Sequence, residues 1–156
     1  MTLTTHTAIG AVIGASVGNP VLGFVLGLSS HFLVDMIPHG DMFLSENFRV
    51  LKQKRGQAFA YACLDVTLGV VLLIILGQFL PDSVTQSSAY IASIVGSVLP
   101  DALVGVNDVY KTRLSQAYNR FHFFFHDYFA KHGDVRLRNS LLIQIIFVLG
   151  VIYFLG

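Results

Sequence analysis

No Asp, Glu, Lys or Arg occurs before Asp35, and uncharged apolar stretches return at residues 66–81, 83–100 and 140–156. Runs of this length and composition predict membrane helices in place of a soluble core. Composition agrees: 54% of residues are hydrophobic and 12% charged, against about a quarter charged in soluble domains. The expected fold is all-α, an integral membrane helical bundle of about five transmembrane helices.

The apolar segments fall at about residues 4–17, 20–37, 57–80, 87–99 and 140–155. They read as one membrane domain over residues 1–156. A hairpin over 4–39 precedes a second over 57–101. A cytoplasmic interfacial segment over 102–139 leads to a last helix over 140–155. Gly18-Asn19-Pro20 marks the first turn, with Pro opening the second helix. A single tilted span over residues 4–37 would be about 51 Å long, beyond any bilayer. The first segment lacks a basic leader and a small-residue cleavage site, so it reads as a retained helix. With one cysteine, Cys63, no intrachain disulfide is possible.

All ten basic residues lie in two segments: Arg49, Lys52, Lys54 and Arg55, then Lys111, Arg113, Arg120, Lys131, Arg136 and Arg138. With five spans this puts the N-terminus and both basic loops in the cytoplasm and the C-terminus outside, in a plasma (inner) membrane. The net charge of +1 gives no argument for a nucleic-acid partner; the expected partners are membrane lipids. Gly10, Gly14 and Gly18, then Gly23 and Gly27, form small-xxx-small patterns suited to close helix approach.

The polar residues in these oily segments form a weak tandem repeat. THTAIG (residues 5–10) resembles LDVTLG (64–69), and DMIPH (35–39) resembles SVLPD (97–101). The superposition aligns His6 with Asp65, His39 with Asp101 and Asp35 with Ser97. Helices leaving and returning to the cytoplasm bring these groups to one depth. His31 and Asp35 are i and i+4 and share a face, and Pro38 ends the helix so that His39 turns inward. In NRFHFFFHDYFAKHGD (119–134), His122 and His126 share the same spacing within an expected interfacial amphipathic helix over the bundle mouth.

Singly, each group has an ordinary reading as a packing histidine, a cap or a turn aspartate. Together they imply more. An aspartate at the bilayer centre costs about 2.5–3.5 kcal/mol on insertion scales, and the helices supply no basic partner. A divalent metal would compensate them: zinc, with manganese or iron as alternatives, as one or two ions. The candidate ligands are His6, His31, Asp35, His39, Asp65, Asp101, His122 and His126, a His/Asp set without thiolates. His31 either ligates or orients Asp35, and either His122 or His126 serves. His132, Asp82 and Asp108 read as loop, turn or cap residues.

These motifs resemble the bacterial membrane-bound metal-dependent hydrolases, the LexA-binding, inner-membrane-associated hydrolases. The likeness rests on Thr5-His6 with Gly10, the cluster Asp35, Pro38, His39 and Asp41, the GSVLPD run ending in Asp101, and a late histidine segment. Two motifs depart from the family. Its Pro-Asp-x-Asp-His cluster stands here as DMIPHGD, and RFHFFFH replaces its His-Arg-Gly and Thr-His-Ser segment. The resemblance implies a metal-dependent hydrolase and names no substrate.

The expected function is hydrolysis at the cytoplasmic leaflet of a phosphoester or phospholipid-type substrate through a metal-activated water. Asp35 is the candidate general base, and Arg120 the candidate two-point contact for an anionic group. A divalent metal or proton transporter is the alternative, although its usual inverted repeats and midplane site do not match the one-sided pattern. A non-catalytic scaffold with a polar core is the third reading.

Overall fold

The computed structural model describes residues 1–40 and 55–155. Asp41, in the cluster that carries the family resemblance, and the basic residues Arg49, Lys52 and Lys54 lie outside the described residues. Regular structure among the described residues is entirely helical: α1 (Leu3–Ser16), α2 (Pro20–Asp35), α3 (Arg55–Phe79), the one-turn α4 (Asp82–Thr85), α5 (Ser88–Val109), α6 (Arg113–His126), a 3₁₀ turn (Ala130–His132) and α7 (Leu137–Leu155). Among the described residues, three helices are long and apolar enough to cross a membrane: Phe59–Phe79, Ser88–Val106 and Leu137–Leu155. Pro20–Asp35 is a shorter apolar helix, about 24 Å long at 1.5 Å per residue.

Local chemistry sets the helix ends. Asn19 Oδ1 accepts from the backbone N–H groups of Val21 and Leu22 at 2.9 and 3.0 Å, and Pro20 occupies the first turn, as an N-cap and its following proline should. Thr2 caps α1 through the N–H of Thr5, and Thr112 and Ser115 form a reciprocal capping box on α6.

α5 corrects the expected end of the fourth helix. The segment was expected to stop near residue 99, yet the helix runs through Pro100 to Val109. Pro100 cannot donate a backbone hydrogen bond, but it is fully buried and its carbonyl accepts from the Tyr118 hydroxyl at 3.0 Å. Tertiary packing holds the helix across a residue that would end it in isolation.

α5 packs most extensively against α2 and α1, while α3 packs on α1 and α7. Small residues explain this. A Cβ added to Gly14 would stand 2.6 Å from Tyr90 Cα, one on Gly23 would stand 2.8 Å from the Ala89 carbonyl, and one on Gly27 would collide with the Ser93 carbonyl. The backbones of α1 and α2 therefore approach α5 as closely as glycine permits. An apolar core of Ala8, Ala11, Leu72, Leu76, Tyr90 and Val151 fills the other side of α1. Outward-facing Phe59, Ile74, Ile143, Ile146 and Phe154 leave α3 and α7 with exposed apolar flanks, as expected of helices solvated by lipid.

Candidate metal centre

Three stripes with a four-residue period meet at the interface of α1, α2 and α5. α2 buries Gly23, Gly27, His31 and Asp35. α1 buries His6, Gly10 and Gly14, and α5 presents Ala89, Ser93, Ser97 and then Asp101. Each stripe is small where the helices touch and turns into imidazole or carboxylate at one common end. α6 closes that end with His122 and His126, both buried on its inner face. The tight glycine packing thus delivers polar side chains from three helices to one place.

His31, Asp35, Asp101 and His122 each offer a donor atom there, and the four atoms lie within 4.8 Å of one another. His31 Nε2 is 3.3 Å from Asp35 Oδ2 and 3.7 Å from Asp101 Oδ1. His122 Nε2 is 3.9 and 3.7 Å from the same two oxygens. His31 Nδ1 is 2.8 Å from the Ser97 carbonyl. A carbonyl only accepts, so Nδ1 carries the proton and Nε2 of a neutral ring presents a lone pair to two carboxylates. Both His31 Nε2 and Asp35 Oδ2 are buried without a hydrogen-bond partner, a costly arrangement in a dry interior. A cation among the four donors would relieve it. Two imidazole nitrogens and two carboxylate oxygens suit zinc, manganese or iron. The residues present therefore fit a divalent metal.

The electrostatics on the α6 side agree. Burial pushes the His122 imidazole down to about 4, against smaller opposing effects of Asp101 and Asp35, so the ring is neutral and ligand-competent at pH 7. Burial, with Asp101 and Asp35 nearby, pushes the Tyr118 phenol up to about 12, which keeps it protonated for its bond to Pro100. The Asp101 side chain is 30% exposed while those of His31, Asp35 and His122 are 0–2% exposed. The centre therefore opens to its surroundings past Asp101.

The other candidates divide. His6 stacks on His31, with ring centroids 4.1 Å apart, and its Nε2 lies 3.0 Å from Asp35 Oδ1. His39 turns inward past Pro38, is buried, and places Nε2 3.2 Å from Nε2 of His126. Both expected histidines of α6 thus face the centre.

Asp65 is not in the four-donor group. One carboxylate oxygen accepts from the Leu3 N–H at 2.6 Å, and the other from the Thr4 N–H and hydroxyl at 3.0 and 2.6 Å. It caps α1 from α3, where a negative charge meets the positive end of the helix. Arg120 is exposed and two residues from His122, on the opposite face of α6; the structure does not bring it to the centre. His132 is exposed at the end of the 3₁₀ turn, and Asp82 lies in the first turn of α4, whose N-cap is Pro81.

Two supporting groups have no motif that could have flagged them. The Ser97 contribution is a backbone carbonyl, which carries no residue signature. Gln144 of α7 accepts from the Thr2 N–H at 2.9 Å and the Thr5 hydroxyl at 3.0 Å, and donates to Ser140 at 2.9 Å. A lone glutamine in the last apolar run is its only trace in the sequence. No family model, curated protein or solved structure matches the chain.

Proposed function

We propose that this chain is a membrane-embedded, metal-dependent hydrolase whose single metal position lies among His31, Asp35, Asp101 and His122. The observation that carries the reading is the His31 ring, fixed by Ser97 so that its lone pair faces two carboxylates. A metal bound there supplies Lewis acidity and a lowered pKa for coordinated water. The chain's own groups do the rest. Ser97 fixes the His31 tautomer, His6 holds Asp35 Oδ1, and burial keeps His122 neutral. Asp101, the most accessible of the four, stands at the opening and is the candidate to take a proton from an attacking water. This assignment moves the base from the deeply buried Asp35 to the more accessible Asp101.

An ester of an amphiphile suits this setting. An apolar cleft of about 390 Å³ lies between α3 and α7, with Leu68, Leu72 and Ile145 in its walls and Thr5, Asp65 and Gln144 at its polar end. Thr5 adjoins His6, so the polar end of the cleft and the metal centre share the N-terminal turn of α1. Phospholipid or lipid-phosphate esters are the proposed substrate class, and the resemblance to membrane-bound metal-dependent hydrolases supports the same reading. With α1 and α2 counted as short crossing helices, the described residues would give five spans. The distribution of basic residues then supports a cytoplasmic N-terminus and centre, an inner-membrane location and an outer C-terminus.

The deciding experiment combines metal analysis of purified protein with release of headgroup or phosphate from mixed lipid vesicles. Metal-loaded protein should hydrolyse an ester, and Asp101→Asn should abolish turnover. Loaded protein that hydrolyses no lipid ester yet moves metal into proteoliposomes would establish a transporter instead. Protein that takes up no metal when zinc or manganese is supplied would establish the scaffold reading.

A further inference from the structure

α3 and α7 both pack on α1, and the lining of the cleft between them runs from Tyr61 to Ile75 along α3. That stretch is about 21 Å long at 1.5 Å per residue. The cleft volume of about 390 Å³ lies toward the low end of the roughly 300–1,000 Å³ of small-molecule sites. A small volume drawn out over that length makes a slot for one alkyl chain, not two. Leu64, Leu68, Ile145 and Leu149 line it and are 49–58% exposed, so it opens sideways. Both of its walls are helices long and apolar enough to cross a membrane. In a bilayer, what reaches such an opening is a lipid chain.

The polar end selects the head of that lipid, because the donors there are already engaged. The Leu3 N–H gives to Asp65 Oδ2, and the Thr4 N–H and hydroxyl give to Oδ1. The Thr2 N–H and the Thr5 hydroxyl both give to Gln144 Oε1. Asp65 Oδ2 takes one of these bonds and keeps room for a second. Gln144 Nε2 gives one N–H to Ser140 and has another to give. A hydroxyl both donates and accepts, and so matches this acceptor and this donor. An anionic head instead meets the Asp65 charge, with the N–H groups at the start of α1 already taken.

We infer that the cleft between α3 and α7 binds a single-chain lipid alcohol, with the chain in the slot and the hydroxyl between Asp65 and Gln144, and that it rejects the phosphorylated form of the same lipid. The binding site stands apart from the metal centre. Its bearing on turnover rests on the hydrolase reading above, which it narrows from lipid esters in general to single-chain lipid phosphates. In that hydrolysis water adds its hydroxyl to phosphorus and its proton to the leaving alkyl oxygen, and the alcohol released is the lipid that this cleft holds.

The test uses chelator-treated protein in phosphatidylcholine vesicles, so that no metal-dependent turnover intervenes. Hexadecanol carrying a mid-chain diazirine is photolysed, and the labelled peptides are mapped by mass spectrometry. Labelling should be saturable on the stretches of α3 and α7 that hold Leu68 and Ile145. It should be non-saturable at the outward Ile91 and Val95 of α5, which are 52% and 44% exposed. Unlabelled hexadecanol should displace the probe, and hexadecyl phosphate should need about tenfold more or worse. Ile145→Trp should fill the slot and abolish the saturable component, and Asp65→Asn should bring the phosphate up towards the alcohol. Non-saturable labelling throughout would show an ordinary lipid-facing flank and overturn the site. Equal or better displacement by hexadecyl phosphate would overturn the choice of head. The wild-type competition decides both points even if the variants fail to fold. Metal analysis of the untreated protein is read separately, so loss of this site leaves the metal centre standing, and absence of metal leaves this site standing.

Discussion

The Nδ1–H of His31 donates to the carbonyl of Ser97 across 2.8 Å, tying the last turns of α2 to the middle of α5. Four residues on, Asp101 stands on the same stripe of α5 as Ser97, and Asp35 stands four residues beyond His31. One backbone bond thereby sets the tautomer of an imidazole and the register of two carboxylates that face it.

Removing that imidazole should therefore disarm the centre. We expect His31→Ala to lower metal affinity by at least an order of magnitude, because an incomplete donor set remains around a buried Asp35. His132→Ala, at an exposed turn, should bind as wild type does. Titration of both variants with a competing chelator present checks this.

His122 makes the metal-free protein sensitive to mild acid. Its folded value of about 4 lies below the ordinary 6.5. Between these values the unfolded chain binds a proton that the folded chain refuses, so stability falls as pH drops from about 6.5 towards 4. The span corresponds to a loss on the order of 3 kcal/mol. His122→Gln should flatten the loss, read as melting temperature against pH for chelator-treated protein in detergent. A wild-type curve that is flat across this window would contradict the assignment.

The helical character and the polar end of the bundle were legible because they rest on periodicity. His31 with Asp35, and His122 with His126, are one turn apart, and on α2 the preceding residues at the same spacing are Gly23 and Gly27. The end of α5 was not legible. Pro100 signals a break locally, and only the Tyr118 hydroxyl and the packing around it, distant in sequence, keep the helix going. Asp65 and Arg120 were misleading for a related reason. A carboxylate that caps another helix has the same sequence signature as one that ligates a metal, and an arginine two residues from a ligand is near in sequence but opposite in space.

Asp65 gives a clean separation of structural from ligand roles. Asp65→Ala strips the acceptor from two backbone N–H groups and one hydroxyl at the start of α1. Unsatisfied donors of this kind cost about 1–3 kcal/mol each when buried, less here because the site is half-buried. The variant should melt at lower temperature while its folded fraction binds metal in wild-type stoichiometry. A loss of stoichiometry at unchanged stability would return Asp65 to the ligand set.

The glycine seam offers the most direct link between packing and chemistry. A methyl group on Gly27 would collide with the Ser93 carbonyl, which as backbone cannot rotate aside. α2 must then move away from α5, and overpacking of this kind costs about 1–3 kcal/mol. The same movement separates His31 from Ser97 and Asp101, since all three sit one or two turns along the same seam. Gly27→Ala should therefore lose stability and metal affinity together. Gly77 lies within a helix with open space where its Cβ would be, so Gly77→Ala should leave metal affinity unchanged. Its stability should be equal or higher by about 0.5–1 kcal/mol, as helix propensity favours alanine. Thermal melts and metal titrations of the two variants side by side provide the measurement. Equal metal affinity in Gly27→Ala and wild type would show that the centre does not depend on the close approach of α2 and α5.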